Sequence, residues 1–161
     1  MAQIIDKETF TAFWRDEIVG RSNALQSFVD GENVEAYTAI KSPGLTSPFL
    51  VLFAPEFKTI DNRSTNVQRS VRFGFWVVKA ATKKDDKEEI KQLKQDCIEI
   101  VEEIIGRLDY LNTEKEFFGK YHADNTDYQE IEKVFDNHHG CQCFGEIITK
   151  TSIKHDATKW T

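Results

Sequence analysis

Apolar and polar residues alternate along Val67 to Val78, and directly after a charged turn the spacing changes to that of a helix. Val67, Val71, Phe73, Phe75 and Val77 share one parity and therefore one face of a strand, while Gln68, Ser70, Arg72 and Gly74 take the other. Further on, Ile90, Leu93, Cys97, Val101, Ile104, Leu108 and Leu111 recur at steps of three and four, the apolar stripe of a helix over about 85–111 packed on that strand's sheet. Thr82 and Asp85 resemble a capping box at its start, with acidic residues in the first turn. Such a helix is roughly 40 Å long.

The same reading extends to both ends. Asp6 caps a first helix that carries Phe10, Phe13, Trp14 and Ile18 at helical spacing and closes at Gly20 or at the Ser22-Asn23 pair. Ala24 to Ile40 is mixed, with a turn at Asp30 to Asn33. Phe49 to Phe53 is an unbroken apolar run, as in a strand buried on both faces; Pro55 ends or bulges it, and Phe57 to Ile60 continues it. Asp61 to Asn66 reads as a protruding hairpin tip. Asn112 to Asp127 carries Phe117, Phe118 and Tyr121 as candidates for the core. Tyr128 to Phe135 and Cys141 to Ile153 read as two strands joined by a hairpin loop, Asp136 to Gly140.

This order predicts one α+β domain over 1–161: an antiparallel or mixed sheet of about four to five strands, with the long helix and the N-terminal helix mainly on one face. Residues 154–161 are expected as a flexible or partner-docking C-terminal tail. A chain of 161 residues can bury roughly two thirds of its unfolded surface without a metal or disulfide. Its net charge of −6 opposes nonspecific attraction to nucleic acid, so no nucleic-acid partner is expected. Nothing reads as a signal peptide or membrane span, and three cysteines fit a reducing compartment, so the expected location is cytoplasmic.

Candidate chemistry is sparse. His138, His139, Cys141 and Cys143 are the only cluster of metal-ligand types, the basis of a metal-dependent enzyme reading. Their C-x-C spacing matches no usual zinc site, and burial of the thiols as small apolar groups is the cheaper account. A Cys–His nucleophilic pair, Cys141 or Cys143 with His122 or His155, has no motif behind it. Acid pairs such as Asp85-Asp86 and Glu102-Glu103 diverge on a helix and suit a solvated face. Phosphate-binding, dinucleotide-binding and serine-hydrolase motifs are all absent. The expectation is therefore no enzyme and no cofactor. Trp76 breaks the strand's parity, which predicts cover on both faces at that end; Trp160 in the tail is an anchor for a neighbour.

The strand Val71-Arg72-Phe73-Gly74-Phe75-Trp76-Val77-Val78, the short acidic loop, the long helix Ile90 to Leu108 and the closing strands resemble the tail-terminator or tail-completion proteins of long-tailed phages and the related cap proteins of contractile injection systems. The resemblance covers Phe49 to Ile153 in its order of elements; Met1 to Ser42 is less readily matched. It implies a structural subunit of a hexameric ring that ends a tail tube and meets tail tube, sheath or head-connector proteins. That location is cytoplasmic during assembly and then within a virion or injection particle, with no membrane partner. Loops and tails would make the contacts, with Asn62, Arg63, Trp76, Lys83, Lys84 and Trp160 as candidates. The alternative is an acidic cytoplasmic protein-binding module, such as an immunity or antitoxin-type inhibitor.

Overall fold

The computed structural model describes residues 6–31, 46–60, 68–83, 85–114, 119–134 and 137–150. Asp6 caps α1 (Lys7–Phe13) as the sequence predicts, its carboxylate accepting from the Thr9 amide at 2.7 Å. The chain then widens into a π-helical turn, Trp14–Val19, closed when the Gly20 amide donates to the Arg15 carbonyl. That keeps Phe10, Trp14, Ile18 and Val19 buried together against the sheet.

Among the described residues seven strands form one mixed sheet: β1 (Ser27–Asp30), β2 (Phe49–Leu52), β3 (Glu56–Ile60), β4 (Gln68–Ala80), β5 (Lys120–Tyr121), β6 (Asp127–Val134) and β7 (His138–Lys150). The α+β class is as expected; the strand number exceeds the four to five predicted. The reason is local. β2 and β3 both pair with β4 on the same side, and β5 and β6 both pair with β7, so the seven strands occupy five lateral positions. β1, left unassigned in the sequence, runs parallel to β2, while the other pairings are antiparallel.

The long helix α2 (Lys87–Thr113) agrees with its apolar stripe: Leu93, Cys97, Val101, Ile104, Leu108 and Leu111 are all buried. Its cap differs from the expected Thr82–Asp85 box. Asp85 takes a positive φ of 68°, turning the chain so that the next residue stands at the helix start. Asp86 is the cap, accepting from the Glu88 and Glu89 amides at 3.2 Å each. Glu89 instead reaches back to accept from the Thr82 hydroxyl and from the Thr82 and Lys83 amides, the amides at 2.7 and 3.0 Å; the hydroxyl first, and then the amides, hold its carboxyl below the usual range.

Both described helices cover one face. Val71, Phe73, Phe75 and Val77 of β4 point into it with Leu50, Leu52, Cys141, Cys143 and Ile147, as the β4 parity predicts. Tyr121 is buried in the same core. The opposite face carries a second apolar cluster, Val29, Phe49, Val51, Val78 and Ile131, with Phe53 and Trp76 packed on it. β2 is thus buried on both faces, as its unbroken apolar run requires. Among the described residues no helix is long and apolar enough to cross a membrane.

Candidate interaction surface

The structure splits the metal-ligand cluster. The loop expected at Asp136 to Gly140 is shorter, because β4 extends to Ala80 and offers ladder partners to His138 and His139, which join β7. Alternation then sends His139, Cys141 and Cys143 to the helix-covered face and His138 to the other, where its ring meets Phe49 edge-on at 5.5 Å. Among the described residues no three His, Cys, Asp or Glu side chains converge as a ligand set. Cys141 and Cys143 lie fully buried, and burial pushes their thiols up to about 11 and about 12, the reverse of an activated nucleophile. His122 is exposed in the segment between β5 and β6, and His155 lies outside the described residues.

Of the expected contact residues, Trp76 and Lys83 fall within the described chain; Asn62, Arg63, Lys84 and Trp160 lie outside it, as do the Asp61 to Asn66 tip, Phe117 and Phe118. Lys83 is exposed beside the start of α2. Trp76 is half-buried on the face away from the helices, opposite Val51 and Gln142, and packs edge-on to Phe53 with ring centroids 4.9 Å apart.

The sequence reading missed the centre of this face. The β2–β3 break at Phe53-Ala54-Pro55 and the β5–β6 break at residues 122–126 lie at the same height, on either side of the β4–β7 pair. Between them sits a cavity of about 450 Å³, lined by Phe53, Ala54, Glu56, Arg72, Gly74, Asn125, Asp127, Phe144 and Glu146 among others. Phe144 lies directly opposite Gly74 in the ladder and covers it, since a β-carbon on residue 74 would come within 2.7 Å of the Phe144 ring. Its ring runs nearly parallel to that of Phe53, 6.3 Å away. Yet Phe144 remains 47% exposed, which forgoes on the order of 1 kcal/mol that full burial of the ring would supply.

Below the aromatics, Glu56, Arg72 and Glu146 stand in line across three adjacent strands. The Ser70 hydroxyl, fully buried, donates to Glu146 and holds its carboxylate in place. With Asp127 the cavity wall has three carboxylates against one guanidinium, so its field favours a positively charged visitor. The one sequence signal was parity: in Cys141-Gln142-Cys143-Phe144, burying both thiols sends Phe144 to the opposite face.

Neither the protein-family models nor the curated proteins contain a match to this chain.

Proposed function

We propose that this chain is a structural assembly subunit that binds copies of itself into a ring and seats that ring against tube, sheath or connector proteins, as tail-terminator and cap proteins do. The observation that carries the reading is the aromatic surface of Phe53, Trp76 and Phe144 on the sheet face that no described helix covers. Apolar rings clustered at a dent in an otherwise polar surface are the usual core of a protein contact. The ring and its partners come into this reading from the resemblance that the order of elements from Phe49 to Ile153 bears to those families.

Mass in solution tests it, by light scattering on a size-exclusion column across a concentration series. A discrete oligomer, or reversible growth toward one that Phe144→Ser weakens, is the expected result. A strict monomer at every concentration would overturn self-assembly. The three carboxylates beside Phe144 favour a second reading, an acidic module that binds a basic protein. Under that reading the monomer would bind a basic partner with a strong salt dependence, and Asp127→Lys would abolish the binding.

A further inference from the structure

We infer that the groove between the two strand breaks receives Lys159 and Trp160 of a second copy of this chain. The inference rests on the assembly reading and names its contact. At about 450 Å³ the cavity lies within the range in which side chains and small ligands are held. Its upper wall is the edge-exposed pair Phe53 and Phe144, suited to an aromatic ring, and its lower wall is carboxylate-rich, suited to a cation. Residues 151–161 carry that combination: Lys159 adjoins Trp160, with Lys154 six residues earlier and Asp156 as their one acid.

The strand geometry favours a neighbour as donor. β7 passes the groove at Phe144 and runs on to Lys150, about 20 Å further along the sheet at the usual strand rise. To reach the groove of its own molecule, the segment after Lys150 would have to reverse and retrace the face it had just left. A second copy delivers the same residues without reversal. Repeated head to tail, this contact is heterologous and closes as a ring when its rotation permits.

The full-length chain with p-benzoylphenylalanine in place of Trp160, irradiated across a concentration series, tests the placement. The expected result is a product of twice the chain mass, its cross-links mapping to peptides around Phe53 or Phe144. Phe144→Ser should weaken self-association at least about tenfold, as loss of an interface anchor does, and Asp127→Lys should weaken it through charge. Cross-links confined to single chains at all concentrations would overturn the second copy as donor. Cross-links elsewhere on a chain that still oligomerises would overturn the groove while leaving the assembly reading intact. A monomer with no intermolecular product would overturn both.

Discussion

The indole of Trp14 stands 4.9 Å from the ring of Phe75, centroid to centroid, and so joins the π-helical turn to the middle of the central strand. Phe10, Phe13 and Phe73 close around the same ring at 6.1, 6.3 and 5.2 Å. Trp14 is fully buried, and its Nε1 makes no hydrogen bond among the described residues.

Trp14→Ala should therefore cost about 3–5 kcal/mol in urea unfolding, the range for removing a buried aromatic. Trp14→Phe should cost clearly less, because it keeps a ring against Phe75 and removes a buried donor that has no acceptor among the described residues. Equal losses for the two variants would refute this account of the packing.

Gly140 lies against the carbonyl of Val77, inside contact distance for any β-carbon placed there. The obstacle is backbone in the longest ladder of the sheet, so it cannot swing aside as a side chain does. Gly140→Ala should destabilise by about 1–3 kcal/mol, as overpacking does. An unchanged denaturation midpoint would show that the β4–β7 ladder is looser than its register implies.

The three thiols should be silent in the native state. Burial raises Cys97 and Cys143 to about 12 and Cys141 to about 11, from an ordinary value of 9.0. Their stabilising contribution is complete below the unfolded-state value. It is lost as pH climbs from there through the folded values, because the unfolded chain ionises first. Titration with a chromogenic disulfide at pH 8 should label none of the three until denaturant is added, and stability should fall on the alkaline side above about pH 9. Fast labelling of native protein would mean that α2 lifts off the sheet.

At the start of α2, Asp86→Ala removes the acceptor for two amides and should cost about 1 kcal/mol, with Asp86→Asn nearly neutral. Asp85→Gly should be tolerated or mildly stabilising, since residue 85 holds a positive φ that glycine adopts freely. Thermal melts of the three variants separate these effects; a larger loss from Asp85→Gly than from Asp86→Ala would reverse the assignment of the cap.

Much of this fold was legible because burial imposes its period on the sequence. The β4 parity, the α2 stripe, the doubly buried β2 and the Asp6 cap are each set by residues adjacent in the chain, where a side chain's direction follows from its position alone. The cap of α2 lies four residues beyond Thr82, the cap residue of the expected box, because a positive φ at Asp85 leaves no mark in an apolar pattern. The hairpin loop is shorter than expected because β4 reaches far enough to pair Ala80 with His138 and Lys79 with His139, partners more than fifty residues away, while His138 also meets Val134 of β6.

The groove was hidden for the same reason. Phe53, Gly74, Asp127 and Phe144 come from four separate stretches, and only the registers of β4 with β3, β7 and their neighbours set them side by side. Sequence alone determined which residues avoid water and which face of each element they occupy, since those follow from local spacing and hydrophobicity. Tertiary structure alone decided that two strand breaks meet at one height and leave aromatic rings and carboxylates around a common cavity. Strand register between distant segments is a property of the assembled sheet, settled by the packing of both faces at once.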